Sequence, residues 1–462
     1  MSPTPAGEGA PRPVLALADD LSGAAETAAA LGLPATIVLG PAAVAPPAPG
    51  RALVLDLDTR HAEPGRAARA VREAVLEAGD DTVLIKKIDS LLRGNLAAET
   101  AAYAEGATGL IIAPALPVAG RTVREGVVHL HGSPLHHTDA WRAETLPVPR
   151  SVAAALDGIR TTVVPLAAVR SPLGELTGLL RALVEDGVTP VCDTGTDADL
   201  DAIAVAALRL GPGVRLMGSG ALAAALGRVL AGTLAGTGLP LPGSDGASED
   251  LGRGPAAVPR PLPGRTLPLL VVVGTAEPTA VAQIAQLTAV GARHTALPAH
   301  LLARSGPPPP LTVRPDDAVS VVSVDNTRGV EPGSARRVVA GLAAAVAAVP
   351  HSTDLVLTGG ETARRVLDAL GVTRLRPVGQ VHHGAVHSLT PDGRSVVTRP
   401  GSHGDTGSLL RIVRALRPHH PDPPAGEPAG LRPPGARFAA SHTPSSVPSV
   451  PSVPSVPQGE VL

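Results

Sequence analysis

Aromatic side chains are nearly missing from this 462-residue chain, which has one Trp, one Tyr and one Phe. The Phe, Phe438, sits in a Pro/Ser-rich tail. Aromatics supply the largest buried areas of most cores, so the interior must be assembled from Ala, Val, Leu and Ile. Such cores pack well when their volume is right, and a 44% hydrophobic content provides the material. Cysteine is as scarce. Cys192 stands alone, which excludes an intrachain disulfide and gives no sign of an oxidising compartment. Its expected role is a small buried residue rather than a nucleophile. No charge dominates either: 39 Lys and Arg face 41 Asp and Glu, a formal net charge of -2. Neither nucleic acid nor a membrane surface is therefore an indicated partner. Apolar runs such as Val338–Val349 are too short to span a bilayer. Met1–Pro13 lacks the basic-then-apolar pattern of a signal peptide. These absences describe a cytoplasmic protein of two or three domains.

What is present is a repeated strand–turn–helix grammar. Val14–Ala18 is an apolar run that stops at Asp19-Asp20, and Ala24–Leu31 has helical composition. Ala52–Leu55 runs into Asp56 and Asp58, Thr82–Ile85 into Lys86-Lys87-Ile88-Asp89-Ser90, and Leu110–Ala113 into Pro114. Strands alternating with helices predict an α/β fold with mostly parallel sheets. In such sheets ligands bind beyond the carboxyl ends of the strands, where these polar residues fall. Gly232–Pro268 is Gly- and Pro-rich and reads as a linker or long loop. A second α/β unit opens with Leu269–Val273, which ends at Gly274-Thr275, and includes Leu355–Leu357, which ends at Thr358-Gly359-Gly360-Glu361-Thr362. Two α/β domains are expected, 11–235 and 268–417, joined by 236–267. Beyond Pro418 the Pro-rich chain carries a Ser-Val-Pro repeat, composition that cannot bury enough apolar surface to order itself.

Several of these turns have residues suited to chemistry. The Gly359-Gly360 turn lets backbone N–H groups approach a phosphate, or is simply a capped strand-to-helix turn. Gly274-Thr275 and Gly401-Ser402-His403-Gly404 close two further strands, and three such turns in one domain can converge on one nucleotide. A Walker A pattern is missing, as is a Gly-x-Gly-x-x-Gly fingerprint after the first strand. Asp19-Asp20 suits hydroxyl activation or a magnesium-bound phosphate, or a helix N-cap. Lys86–Asn95 is the most informative stretch: Arg93 can clamp a carboxylate in bidentate fashion, and Lys87 and Asp89 can bind hydroxyls. Its alternative is a surface turn with local ion pairs. Pro114–Thr122 adds a rigid turn with Arg121 near its end. His129, His131, His136 and His137 lie close by, without convincing metal-site spacing.

Taken in order, Ala18–Ala24, Lys86–Asn95, Pro114–Thr122, Gly218-Ser219-Gly220 and Thr358–Ala363 resemble the four-carbon acid sugar kinase family, over about residues 14 to 417. That resemblance implies a substrate lobe followed by an ATP lobe. It places Asp19, Asp20, Lys87, Asp89 and Arg93 at the sugar acid, joined by Ser90, Gly94, Asn95 and Arg121 from the matching stretches. It places Thr275, Gly359, Gly360, Glu361, Thr362, Gly401 and Gly404 at the nucleotide, and Asp20 as the catalytic residue. ATP with Mg2+ and a small acid sugar are the implied partners, and a homodimer stays open as an assembly state. The chain departs from the family pattern at Gly274-Thr275-Ala276-Glu277, where a Ser-rich turn is usual. It departs again at Arg399–Gly404, where Lys-Ser-Gly with a Phe is usual. Those departures keep open a second reading, a sugar-acid sensor with weak or lost catalysis.

Overall fold

The computed structural model describes residues 12–40, 45–79, 81–142, 144, 146–234, 267–275, 277–314, 318–327, 333–350, 352–401 and 404–418. The expected tail and nearly all of the expected linker lie outside these residues. The first half runs β1 (Val14–Ala18), α1 (Leu21–Ala30), β2 (Ala35–Leu39), β3 (Ala52–Asp56), α2 (Pro64–Leu76), β4 (Val83–Lys87), α3 (Leu96–Ala104) and β5 (Gly109–Ala113). A small antiparallel sheet follows, β6 (Arg121–Arg124), β7 (Val127–Leu130) and β8 (Ser133–Pro134). Then come α4 (Val152–Ala155), β9 (Thr161–Val164), α5 (Leu166–Val169), α6 (Leu173–Glu185), β10 (Thr189–Cys192), α7 (Asp197–Arg209), β11 (Val214–Gly218) and α8 (Gly220–Leu234). The second half begins with β12 (Leu269–Val273), α9 (Pro278–Ala289), β13 (Arg293–Pro298), α10 (Ala299–Leu302), β14 (Val319–Asp325) and α11 (Ala335–Ala347). It ends with β15 (Asp354–Thr358), α12 (Gly360–Ala369), β16 (Arg374–His382), β17 (Ala385–Leu389), β18 (Ser395–Arg399) and α13 (Ser408–Leu416).

The fold is α/β, as the strand–helix alternation predicts. Strands of the two halves form one sheet of 15 strands, ordered β13-β14-β12-β15-β18-β17-β16-β2-β3-β1-β4-β11-β5-β10-β9. Apart from the antiparallel run β16–β17–β18, the strands of this sheet pair in parallel within each half, and the centre strands β1 and β12 are buried along their whole length. That explains their unbroken apolar sequences, since helices cover both faces of such strands. The halves meet where β16 pairs antiparallel with β17 on one side and with β2 on the other. Because β17 is also antiparallel to β18, the parallel strands of one half run opposite to those of the other. Their carboxyl ends can reach one cleft only if the sheet turns sharply through β16. Register shifts at Pro377/Gly379 and Gln380/His382 mark that bend, as bulges do.

Helix α1 lies in the crook. It packs against β1, β2 and β3 of its own half and against β16, β17, β18 and α12 of the other. A helix buried nearly all round needs small residues, and its sequence LSGAAETAAA supplies them. On its outer end α8 comes so close that a Cβ on Gly227 would overlap the carbonyl of Leu31. Gly227→Ala is therefore expected to destabilise the protein by about 1–3 kcal/mol, as overpacking does, in a urea unfolding experiment. Cys192 is fully buried on β10, and burial pushes its thiol up to about 12, as its expected structural role requires.

Candidate active site

Asp19 and Asp20 follow β1 at the carboxyl edge of the sheet. Asp20 is the N-cap of α1, its Oδ1 accepting from the Gly23 backbone N–H at 2.8 Å. The capping role that any Asp at this position can play is thus realised. Its other oxygen, Oδ2, accepts from Arg60 Nη1 at 2.7 Å. Arg60 also donates from Nε and Nη2 to the two oxygens of Asp19, at 2.8 and 3.0 Å. One guanidinium therefore fixes both carboxylates. Asp19 is buried, which alone would raise its pKa; Arg60, Lys86 and Lys87 overcome burial and hold it below the ordinary carboxylate range. Arg60 sits in the turn after β3, and the sequence reading missed it. Asn95 steadies that turn by donating to the carbonyls of Thr59 and Ala62 at 2.8 and 2.9 Å. Gly94, with φ 95°, packs so near that a Cβ would lie 3.4 Å from Arg60 Cγ and from Asp19 Oδ2. Both residues, expected at the sugar acid, stand behind the cleft wall rather than on it.

Lys86 and Lys87 belong to β4, not to the turn after it. Alternation on a strand sends them to opposite faces. Lys86 Nζ is wholly buried in an ion pair with Glu99 at 2.7 Å, whereas Lys87 lines the cleft with Glu26 at 3.6 Å. A Cβ on Gly23 would lie 2.7 Å from Asp20 Oδ1 and 3.0 Å from Lys87 Nζ, so glycine there lets lysine and aspartate share one corner. In the following turn Arg93 donates from Nε and Nη2 to the two oxygens of Asp89 at 2.6 and 3.1 Å. Burial would raise the Asp89 pKa, but Arg93, Arg60 and Arg121 outweigh it and hold the group well below the usual range. The single Trp pins this turn: Trp141 Nε1 donates to the Leu91 carbonyl at 2.8 Å. Arg121, at the start of β6, donates from Nη1 to Ser90 Oγ at 2.6 Å.

The nucleotide-type turns do converge. A Cβ on Gly401 would lie 3.5 Å from Gly359 Cα and 3.8 Å from Thr275 Cγ2, and one on Gly274 would overlap Thr362. Gly359 has φ 91°, a backbone state that only glycine adopts at no cost. Thr275, Gly359, Gly360, Glu361, Thr362 and Gly401 all line the cleft, while Gly404 lies off it against Ser408 and Arg399. Arg399 fills the place of the family's usual Lys, but it points into the lobe. It donates to Ser408 Oγ at 2.8 Å and Gln283 Oε1 at 2.7 Å, bracing the loop from beneath.

The two groups of residues face each other across a cleft of about 760 Å³. A Cβ on Gly360 would lie 2.7 Å from Asp20 Oδ2. Among the described residues, side chains tie the halves at three points: Arg364 to Asp56 at 2.8 Å, Arg365 to Asp58 at 2.5 Å, and Arg336 Nη2 to the His61 carbonyl at 2.9 Å. Asp56 is fully buried, and burial pushes it up to about 7 against the opposing pull of Arg364. Among the described residues no group of three or more His, Cys, Asp or Glu could hold a metal ion, and no helix is long and apolar enough to cross a membrane.

Fold and cleft define a two-part α/β protein with one cleft between its halves. Residues 14–226 match the family described as sugar-binding N-terminal domain, and residues 270–409 that described as nucleotide-binding C-terminal domain. A D-threonate kinase from Cupriavidus necator is 33% identical over 87% of this chain and 97% of its own. Another from Bordetella bronchiseptica is 31% identical over 87% and 96%. The solved structure of a putative tRNA synthase from Salmonella typhimurium shares the fold, with a TM-score of 0.66 over 88% of this chain and 100% of its own, at 20% identity. The chain belongs to the four-carbon acid sugar kinase family.

Proposed function

We propose that this protein transfers the γ-phosphoryl group of ATP to a hydroxyl of a four-carbon sugar acid: threonate, erythronate or a 3-oxo-tetronate. The observation that carries the reading is the apposition of Gly360 and Asp20. It brings the glycine turn of the nucleotide half against a carboxylate of the sugar half, with no space for an intervening side chain. Phosphoryl transfer depends mainly on such positioning and on charge neutralisation. D-threonate leads the candidates, being the substrate named for the relatives.

In this reading Asp20 orients the acceptor hydroxyl and receives its proton. Arg60 and the α1 N-terminus fix its direction. Lys87, in the same corner, faces the transferring phosphoryl group. Backbone N–H groups of the Gly359–Thr362 turn hold the nucleotide phosphates. ATP would bring its magnesium with it. Asp19, Asp20 and Asp89 are engaged by arginines, so Asp20 and Glu361, beside the glycine turn, would be the side chains to approach that ion. The magnesium supplies charge neutralisation on the phosphates.

The test is magnesium-dependent ATP turnover on threonate, erythronate and their 3-oxo forms, with the product identified by mass spectrometry. Phosphorylation of one of these acids is expected. Tight acid binding without turnover under any of these conditions would replace the kinase reading by that of a sugar-acid sensor.

A further inference from the structure

Four arginines of the sugar half line the cleft: Arg66, on α2, is exposed to solvent, and the other three, Arg60, Arg93 and Arg121, differ in their engagements. Arg60 spends three N–H groups on Asp19 and Asp20. Arg93 spends the Nε/Nη2 fork on Asp89. Arg121 lines the same cleft, yet among the described residues no carboxylate forms an ion pair with it. Its one side-chain hydrogen bond runs from Nη1 to the neutral Ser90 Oγ. Its Nε is buried and has no hydrogen-bond partner among the described residues. Burial acts on this cation and lowers its pKa, with Asp89 only partly offsetting. A desolvated guanidinium with an idle Nε–H is costly unless an anion arrives.

The backbone holds Arg121 ready for one. Its N–H donates to the Leu116 carbonyl and its carbonyl accepts from the Leu116 N–H, at 3.1 and 2.8 Å. The turn before it needs Gly120, at φ 65°, where a Cβ would overlap the His131 ring. The approach to Arg121 is therefore fixed by two backbone bonds and a glycine, not by an acidic partner.

We propose that Arg121, rather than Arg93, grips the carboxylate of the sugar acid, while Arg93 acts through Asp89 as a positioning residue. The inference rests on the sugar-acid reading above and deepens it. In that arrangement Asp89, held by Arg93 and pinned through Trp141 and Leu91, faces substrate hydroxyls. Arg121 selects acids over neutral polyols and amides, because a carboxylate both accepts its N–H groups and neutralises its charge.

The experiment measures binding of D-threonate and of its neutral amide, threonamide, by calorimetry without ATP, in the wild type, Arg121→Ala and Arg93→Ala. Arg121→Ala is expected to weaken threonate by about 10- to 100-fold, the usual loss of one charge-assisted contact. Threonamide should change little, so the preference for acid over amide should collapse. Added guanidinium ion should restore part of the threonate affinity, which a merely structural arginine would not allow. Arg93→Ala should weaken both ligands and keep the preference. Melting temperature and the Michaelis constant for ATP should stay close to wild type in Arg121→Ala; if that variant is unstable, Arg121→Gln, neutral and polar, provides the same comparison. Equal losses for acid and amide in Arg121→Ala, or an acid-selective loss confined to Arg93→Ala, would overturn the assignment. Threonate that binds but is never phosphorylated sinks the kinase reading alone, and the arginine comparison still decides this one. If no four-carbon acid binds, both fall.

Discussion

Gly360→Val is expected to yield a folded protein whose kcat/KM falls by about 100-fold or more for ATP and for the sugar acid together. The residue opens α12 without an unusual φ, so valine is tolerated by the backbone. Its Cβ, however, would meet Asp20 Oδ2 at 2.7 Å and Ser22 Oγ at 3.1 Å. Asp20 cannot simply swing aside, because Arg60 and the Gly23 N–H hold both of its oxygens. Either the carboxylate shifts or the two halves part, and a misplacement near 1 Å costs about 100-fold in rate. From the sequence alone a bulky residue here would be expected to harm ATP kinetics selectively, by blocking phosphate approach. The cross-cleft contact makes the loss shared. Steady-state kinetics with each co-substrate varied in turn decides the point, and a purely ATP-side defect would show that Asp20 is remote from the reacting centre.

The second large effect concerns Arg60. Arg60→Met keeps much of the packing but leaves Asp19 and Asp20 without their shared cation, and breaking a buried pair in this way costs roughly 3–5 kcal/mol. The loss has a pH signature. In the wild type Asp19 has a depressed pKa, so its contribution to stability is present above the unfolded value of about 3.9 and disappears as pH falls through the lower folded value. In the variant only Lys86 and Lys87 still oppose burial, so the Asp19 pKa rises from its wild-type position. Its charged form then contributes less to folding at neutral pH, a loss that protonation removes on acidification. The stability gap between the two proteins should be widest near neutrality and narrow as the solution is acidified. Urea unfolding across that range tests it; a gap independent of pH would mean that Arg60 contributes packing and not charge.

Much of this was legible in the sequence. β1 and β12 have the bounds their apolar runs predict, β1 ending at Ala18 just before Asp19. Polar residues beyond β1 and β4, and likewise beyond β12 and β15, pointed to a shared edge within each half, because a parallel sheet places its strand ends together. What escaped notice depends on distant pairing. Arg60, in Asp58-Thr59-Arg60-His61, reads as a surface turn, and nothing local shows that it reaches two aspartates 40 residues away. Arg93 reads as a free clamp until Asp89, four residues earlier, is seen to occupy its fork. β16 carries Pro377 and Gly379 in a mostly half-buried run, a pattern that lacks the strict alternation of an ordinary strand. Missing β16 meant missing the seam, so two separate sheets were expected where one is continuous.

That seam changes what connects the molecule. The antiparallel pairing of β2 with β16, Val38 opposite Arg374 and Ile37 opposite Leu375, joins the sugar half to the nucleotide half independently of the covalent chain. The segment 235–266, between α8 and the strand that begins the nucleotide half, need not act as the tether. A gene divided there would encode two polypeptides that still share a strand ladder, each alone presenting the open edge that the other closes. The covalent link then serves as a leash that sets local concentration, while recognition between the halves is written into strand edges, α1 and the arginines of α12.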